Sequence, residues 1–357
     1  MQFGIHYLMS CAPDQQPARR YQDTIEQAVA AEALGFESVW PVEQHFNQEL
    51  SALPCPTQLL AAIAARTRTL RLGTGIAQLG LHHPLRVAEE IATLDVLSGG
   101  RVEFGVGRGG NPAHFAGFNV PMSESRERMA ESLAYLRLAF SGEKFSFGGR
   151  FFPGEDLCLV PQPVQQPGPP VTVAVNSADT ALLAAREGYP IVIALHVSPL
   201  PKARELVRLY EDARREAGHP PHEGISLLLP LCVGEGEAAV RRAMAPAIGR
   251  FVHLTTSLLA ASTHRMATEA ERQSLRALCE RLSQTTYDSM NGNMGVFGTA
   301  DACVERLQHL AETLGVRRFI GWFNLVGAVP NDQALRSIER FSASVMPQFS
   351  EVGKLDG

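Results

Sequence analysis

A group of polar residues near the middle of the chain has the composition of an anion-binding turn. Asn176, Ser177 and Thr180 stand between a run rich in β-branched residues, Val171–Val175, and a stretch typical of a helix, Ala181–Ala185. The first turn of a helix has free backbone N–H groups and the positive end of the helix dipole, so it readily binds phosphate. Because the same residue types also cap helices, this turn alone favours a cap over a ligand site.

Two arginines shift the interpretation toward phosphate. Arg108 follows an apolar run that ends at Gly107, and Arg126 lies in the first turns of the next predicted helix. A cation near a helix N-terminus is unfavourable for the helix dipole, so Arg126 needs an anion as its partner. Two guanidinium groups and a helix end together predict a site for a dianionic phosphate.

His45 is the candidate for proton chemistry. It comes directly after another apolar run, beside Glu43 and Gln44. A neutral imidazole in that place could hydrogen-bond a cofactor or act as a base, although the adjacent Phe46 is equally typical of a histidine packed in a core. We therefore take His45 and Gln44 as the candidate catalytic residues.

The glycine-rich stretch 105–110 matches the literal pattern of a dinucleotide-binding fingerprint. That fingerprint must lead from a strand straight into a helix, whereas Asn111 follows here and the residues up to Ser123 are predicted to form a loop. The pattern therefore does not predict NAD bound in the manner of a Rossmann fold. Gly107 and Gly109 instead allow something flat to approach the chain closely.

The elements that must position these residues alternate between short apolar runs and amphipathic helical stretches, which is typical of βαβ units. Eight runs qualify as strands: Gln2–Leu8, Glu37–Val42, Leu70–Ile76, Arg101–Gly107, Val171–Val175, Pro190–His196, Ile225–Val233 and Arg317–Asn324. Eight well-spaced strands favour one (β/α)₈ TIM barrel, a single domain over residues 1–357, with a doubly wound open sheet as the alternative. In a barrel the site lies at the C-terminal ends of the strands, where His196 and Trp322 also stand.

Two connections interrupt the alternation, Ser141–Pro170 and Ala260–Gly298. Long connections inside a compact domain are usually lids or mobile loops. We expect part of Ala260–Asn293, before strand eight, to be mobile and to close over the site. The leucine spacing in Glu269–Leu282 leaves a docked surface helix as the alternative.

Composition argues against several classes of protein. Hydrophobic residues make up 45% and charged residues 19% of the chain, which suits a large buried core. The net charge of −5, with both signs interspersed, predicts no nucleic-acid partner. The sequence contains no apolar run long enough for a membrane helix and no signal-peptide pattern at its start. The scattered cysteines lack metal-ligand spacing, which predicts reduced thiols, no metal site and a cytoplasmic location.

Several short segments occur in the same order as in a known family. They are Phe3–Gly4, Gly35–Trp40, Glu43–Phe46, Gly73–Thr74, His83–Glu90, Gly100–Gly105, Ser125–Arg126, Ser177–Ala178, Val296–Thr299 and Val345–Pro347. Through them the chain resembles the bacterial luciferase family of flavin monooxygenases, and most of all the luciferase α subunit. The resemblance covers nearly the whole length.

The resemblance implies a TIM barrel that uses reduced FMN (FMNH₂) and O₂. Oxygen would add to the flavin to give a hydroperoxide, which oxygenates a small-molecule substrate. Because the chain has no nicotinamide motif, a separate flavin reductase would supply the FMNH₂. The resemblance also favours a homodimer assembled through the helix containing Ala61 and Ala65 and the helix that follows it.

The family's cofactor residues can be carried over position by position. The flavin phosphate would be held by Arg108, Arg126, Ser177 and Thr180, with Asn176 in place of an acidic residue. A cis peptide bond without proline would join Gly75 and Ile76 under the isoalloxazine ring. Residues 107–109, which include Gly107 and Gly109, would line the edge of that ring.

Two departures from the family argue against light emission. The light-emitting members carry two adjacent histidines where this chain has Gln44–His45, and their active-site cysteine is Gly107 here. The changes favour oxygenation of another metabolite, such as an aldehyde, a ketone or an aromatic compound, with Gly107 leaving space beside the ring. Two alternatives remain: a deazaflavin (F420)-dependent oxidoreductase that transfers hydride, and a flavin-binding protein without catalytic activity.

Overall fold

The computed structural model describes residues 1–12, 14–220, 224–263 and 269–349. The strands are β1 (Gln2–Tyr7), β2 (Ser38–Pro41), β3 (Arg71–Gly73), β4 (Ala77–Gln78), β5 (Val102–Gly107), β6 (Phe145–Phe147), β7 (Gly154–Leu157), β8 (Val171–Ala174), β9 (Ile191–Ala194), β10 (Ile225–Val233), β11 (Val296–Gly298) and β12 (Val316–Trp322). Parallel pairing runs β1–β2–β3–β5–β8–β9–β10–β12 and returns to β1. These strands close the predicted barrel, which confirms the fold class.

Helices surround the barrel and connect its strands. They are α1 (Pro17–Ala33), α2 (Pro56–Ala64), α3 (Pro84–Ser98), α4 (Pro112–Gly117), α5 (Ser125–Ala139), α6 (Ala178–Arg186), α7 (Leu200–Glu216), α8 (Glu237–Ser262), α9 (Glu269–Ser283), α10 (Tyr287–Met290), α11 (Ala300–Leu314) and α12 (Asn331–Arg340). In α7 the buried residues Ala203, Leu206, Val207 and Tyr210 recur every three or four positions, so one face packs on the barrel.

Trp40 fills the middle of the barrel interior. A Cβ atom added at Gly73 would lie 2.3 Å from the Trp40 ring, so a residue without a side chain is needed there. Nearer the start of the strands, the Glu103 carboxylate pairs with Arg71 at 2.6 Å and with Arg318 at 2.5 Å. Side chains thus pack the N-terminal half of the barrel, which leaves the C-terminal strand ends for a site.

The eight predicted strands are confirmed, but one of them is divided. Leu70–Ile76 was expected to be continuous, whereas the structure forms β3, then the Gly75–Ile76 peptide, then β4. The irregular connection Ser141–Pro170 contains the antiparallel hairpin of β6 and β7.

The prediction of a loop between Asn111 and Ser123 was wrong, because α4 begins at Pro112. The Asn111 side chain accepts a hydrogen bond from the Ala113 N–H, and Pro112 occupies the first helical position. Both are start signals of a helix, although the pair Asn111–Pro112 is also typical of a break in regular structure. The helix has six residues and belongs to a barrel loop rather than to a doubly wound sheet.

The segment before the last barrel strand is largely helical where it is described. It contains α9, α10 and β11, while residues 264–268 of the expected mobile segment lie outside the described residues. Leu282 of α9 packs against the core cluster that includes Phe251 and Leu254 of α8. This packing agrees with the docked-helix alternative, and closure over the site stays a prediction.

Two further observations bear on the nature of the protein. Within the described residues, no helix combines the length and apolar character needed to cross a membrane. All six cysteines lie in the described part of the chain, and each is a free thiol.

Candidate active site

The turn after β8 presents a helix N-terminus that no side chain caps. Ser177 is the N-cap residue of α6, with extended backbone angles, but its side chain forms no capping hydrogen bond. Its Oγ lies 3.1 Å from Thr180 Oγ1, and Asn176 is exposed beside it. The capping interpretation of this turn was therefore wrong, and the turn keeps the hydroxyl groups and N–H groups that suit an anion.

The two predicted arginines meet this turn. Arg126 Nη1 lies 2.5 Å from Asp179 Oδ2 in the first turn of α6, with both side chains exposed. Arg108 Nη1 donates to Ser125 Oγ at 3.4 Å. Burial, followed by repulsion from Arg126, lowers the pKa of Arg108 below its usual range. Two mutually repelling guanidinium groups with one carboxylate nearby are suited to a further anion.

A flat surface of backbone lies beside the arginines, at the ends of β3 and β5. The Gly75–Ile76 peptide bond is cis, as the resemblance implies. Gln78 in β4 pairs with Gly107 in β5, and Gly109 has a left-handed φ of 80°. We call Gly75, Ile76, Gly107 and Gly109 the glycine ledge.

Gly107 does not leave the open space that the sequence suggested. A Cβ atom at Gly107 would lie 2.1 Å from Ile76 Cδ1, so the Ile76 side chain already takes that room. Gly107 and Ile76 are far apart in the sequence, so neither segment alone shows that the Ile76 side chain fills the space beside Gly107. The ledge is consequently narrow at this point and shaped by Ile76.

His45 belongs to a hydrogen-bonded network centred on Glu43. One carboxylate oxygen, Glu43 Oε1, lies 2.9 Å from His45 Nε2 and 2.6 Å from His82 Nε2, and Oε2 accepts from the Gln78 N–H at 3.0 Å. Burial works to raise the pKa of Glu43, but the bonds from the two histidines hold it at about 2. Burial works to lower the pKa of His82, but the hydrogen bond and the charge of Glu43 outweigh burial. The pKa of His82 is therefore raised. We call Glu43, His45 and His82 the His45 network.

A third histidine, His114, contacts the backbone of His45 and the side chain of Gln78. His114 Nε2 accepts the His45 backbone N–H at 3.2 Å, and its Nδ1 lies 3.2 Å from Gln78 Oε1. Burial, with repulsion from His45, lowers the pKa of His114 to about 4, which suits the neutral acceptor. His45 is thus fixed through its backbone and Nε2, and its Nδ1 is the atom left for a bound molecule.

Gln44 takes no part in the His45 network. Its backbone N–H bonds to the Leu53 carbonyl, and its side-chain Oε1 is buried without a hydrogen-bond partner among the described residues. The two adjacent candidates therefore have different environments.

The His45 network also has the composition of a metal site, which the sequence did not predict. Glu43, His45 and His82 each offer one ligand atom, and these atoms lie within 4.8 Å of one another. The Nε2 atoms of both histidines are already hydrogen-bonded to the same carboxylate oxygen. Hydrogen bonding accounts for the geometry, so we interpret the group as a carboxylate–histidine network.

Comparison with known proteins identifies the family of the chain. The sequence profile described as "Luciferase-like monooxygenase" matches residues 1–318. The chain belongs to this family. Two uncharacterized proteins of Sinorhizobium fredii are 33% and 36% identical over 66% and 51% of the chain, and 68% and 52% of their own lengths. The oxygenase component of a flavin-dependent trigonelline monooxygenase from Acinetobacter baylyi is 26% identical over 98% of the chain and 96% of its own length.

Solved structures show the same fold. Monooxygenase RslO1 from Streptomyces bottropensis has a TM-score of 0.82 and 27% identity, covering 98% of this chain and 100% of that one. The oxygenating constituent of 3,6-diketocamphane monooxygenase from Pseudomonas putida, in complex with FMN, has a TM-score of 0.80 and 19% identity over 98% of both chains. A coenzyme F420-dependent tetrahydromethanopterin reductase from Methanopyrus kandleri has a TM-score of 0.71 and 20% identity, over 98% of this chain and 99% of that one.

In this luciferase-like monooxygenase, the turn after β8 and His45 were candidates from the sequence, whereas the bonds of His82 to Glu43 and of His114 to Gln78 were not predicted. His82 and His114 lie 39 and 36 residues from the groups they bond, Glu43 and Gln78. Their only sequence signal was a position near the end of a predicted strand.

Proposed function

We propose that the chain is the oxygenase of a two-component FMN-dependent monooxygenase, a single barrel domain acting in the cytoplasm. A separate reductase supplies FMNH₂, and the substrate is a small organic molecule. The observation that carries the proposal is the convergence of Arg108, Arg126 and the uncapped start of α6 beside the glycine ledge. The family membership and the FMN complex of a structural neighbour support it.

The residues present fit FMN. Arg108, Arg126, Ser177 and Thr180 would hold the phosphate, with Asn176 at the same turn, because charge-assisted bonds and free helix N–H groups favour a dianion. The glycine ledge would carry the flat ring. When bound in its reduced form, FMN activates O₂ and so provides the oxidising chemistry.

The His45 network would hold a proton beside the reacting atoms. Glu43 fixes His45 Nε2 at 2.9 Å, so Nδ1 faces the bound molecule as a hydrogen-bond acceptor or, after protonation, as a donor. The aromatic ring of Phe118 lies 4.8 Å from the His45 ring between centroids and restricts water there. Gln44, with its unpartnered Oε1, would bind a donor on the ligand.

Cofactor titration tests the phosphate site. Arg108→Ala and Arg126→Ala should each weaken binding of reduced FMN by about tenfold or more, because a charge-assisted hydrogen bond contributes about 1.5–3 kcal/mol. Arg137→Ala is the matched control, since Arg137 lies on the same helix as Arg126 but pairs with Glu187. Unchanged FMN affinity in both test variants would contradict the phosphate site at Arg108 and Arg126. Tighter binding of F420 than of FMN would favour the hydride-transfer alternative.

We also infer a homodimer through α2 and α3. A groove between these helices is lined by residues that include Ala61, Arg86 and Glu90. At its edge Leu97 is 66% exposed, and a partner subunit on this face would cover it. Leu97→Glu should give a monomeric mass by light scattering, whereas Leu138→Glu on α5 should not. A monomeric wild-type mass at micromolar concentration would contradict the dimer.

A further inference from the structure

A second group of buried polar side chains lies at the mouth of the barrel, and the function proposed above does not use it. His6 is near the end of β1, Trp322 ends β12, and His196 follows β9 by two residues. The Trp322 ring centroid lies 5.7 Å from that of His6 and 5.3 Å from that of His196. We call His6, His196 and Trp322 the Trp322 cluster.

Each member of this cluster has one polar atom without a partner. Among the described residues, Trp322 Nε1, His6 Nδ1 and His196 Nδ1 are buried and form no hydrogen bond. The side chains of His6 and Trp322 are 5% and 1% exposed. A buried donor without an acceptor costs about 1–3 kcal/mol, so several in one place indicate groups kept for a ligand.

The position of the cluster relates it to the glycine ledge. In the circuit of eight strands β12 stands opposite β5, which carries Gly107. A flat ring resting on the ledge would therefore have Trp322 across the barrel mouth, while His196 follows β9, two strands away from β5.

The chemistry of the cluster selects that molecule. An indole N–H only donates, so the ligand atom at Trp322 must be an acceptor. Burial, then repulsion from His196, lowers the pKa of His6 to about 3, and burial lowers that of His196 to about 4, so both rings are neutral near pH 7. Phe251 completes an aromatic wall, with its ring 6.2 Å from both His196 and Trp322.

We propose that the Trp322 cluster is the substrate subsite and that it takes a neutral, ring-containing ketone whose carbonyl oxygen accepts the Trp322 N–H. The proposal rests on the monooxygenase function above, because it places the substrate against the cofactor ledge. The cluster offers hydrogen bonds without a cation, so it selects a carbonyl compound over both a carboxylate and a hydrocarbon of the same shape.

Three probes of one shape test the subsite: 1-indanone, indane and indane-1-carboxylate. Their affinities are measured by equilibrium dialysis against the wild-type protein, with and without oxidised FMN. The ketone should bind about three- to tenfold more tightly than the hydrocarbon, the usual effect of one net hydrogen bond, and more tightly than the carboxylate. Equal binding of the three probes in both conditions would overturn the proposal.

Two variants locate the effect. Trp322→Phe and His196→Phe keep a ring but remove the polar atoms, so each should lose most of the preference for 1-indanone over indane. Arg137→Ala should keep it, and thermal unfolding checks that every variant is folded. A preference that survives in both folded variants would overturn the proposal.

FMN affinity separates this subsite from the cofactor site. Trp322→Phe and His196→Phe should leave FMN binding unchanged, and a loss as large as that of Arg108→Ala would mean that the cluster faces the flavin. If the wild-type protein does not bind FMN yet keeps the ketone preference, the proposed function fails while the subsite stands.

Discussion

The His45 network and the Trp322 cluster contain the same residue types at the same end of the barrel, but they differ in hydrogen bonding. In the network, both histidine Nε2 atoms bond to Glu43. In the cluster, three polar atoms have no partner among the described residues. A satisfied group is rigid and can hold a proton in place, whereas an unsatisfied group gains its bonds from what it binds. The difference predicts opposite responses to mutation.

The largest effect is expected from Glu43→Gln. The variant removes a buried carboxylate that two histidines share, so the free energy of unfolding at pH 7 should fall by about 3 kcal/mol. Urea denaturation measures the change. Glu89→Gln is the control, because Glu89 is only half-buried and pairs with Arg86 at 3.6 Å. A loss as small as that of the control would show that the network is not a buried, bonded unit.

The pH dependence of Glu43→Gln gives a second check. The pKa of Glu43 is lowered to about 2, so its stabilising effect is present above the ordinary carboxyl pKa of about 4.5 and is lost as the pH falls toward 2. The stability difference between the wild type and the variant should therefore shrink steadily from about pH 4.5 and close as the pH approaches 2.

The opposite response is expected from His196→Phe. The pKa of His196 is lowered to about 4, so between pH 6.5 and 4 the unfolded chain binds a proton that the folded protein does not. The wild type therefore loses stability as the pH falls through this window. The variant lacks this group and should gain about 2 kcal/mol relative to the wild type between pH 7.5 and 5.

Thermal or urea unfolding at several pH values measures this gain. His309→Gln on α11 is the control for removal of a histidine, since His309 is exposed on the surface. A His196→Phe protein that follows the wild-type curve would show that His196 is protonated or bonded when folded, and the contrast between the two regions would then fail.

The barrel could be predicted from the sequence because its pattern is repeated: eight apolar runs alternate with helical stretches. One wrongly assigned strand or helix would not change the predicted fold class. The turn after β8 could also be predicted, since Asn176, Ser177 and Thr180 lie within five consecutive residues. The His45 network could not, because His82 approaches Glu43 only when β2 and the loop before α3 come together. The space at Gly107 was misjudged for the same reason, as Ile76 reaches it from a neighbouring strand.

The smallest effect tests whether the two regions are independent. Gly107 lies in β5 opposite Gln78, whose N–H bonds to Glu43, so a disturbance at Gly107 should reach the His45 network and not Trp322. In Gly107→Ala the new Cβ would stand 2.1 Å from Ile76 Cδ1. Because that atom is the end of a flexible side chain, the variant should lose only about 1 kcal/mol of stability.

A double-mutant cycle with Ile76→Ala completes the test. Removing the Ile76 side chain relieves the contact, so the double variant should be more stable than the sum of the two single changes predicts. The chain has two tryptophans, so the Trp40 share of the emission is measured in the Trp322→Phe background and subtracted, and the remainder reports on Trp322. This remainder should stay unchanged throughout the cycle. Additive losses would show that Ile76 moves freely, and an altered emission would show that the ledge and the Trp322 cluster are mechanically coupled.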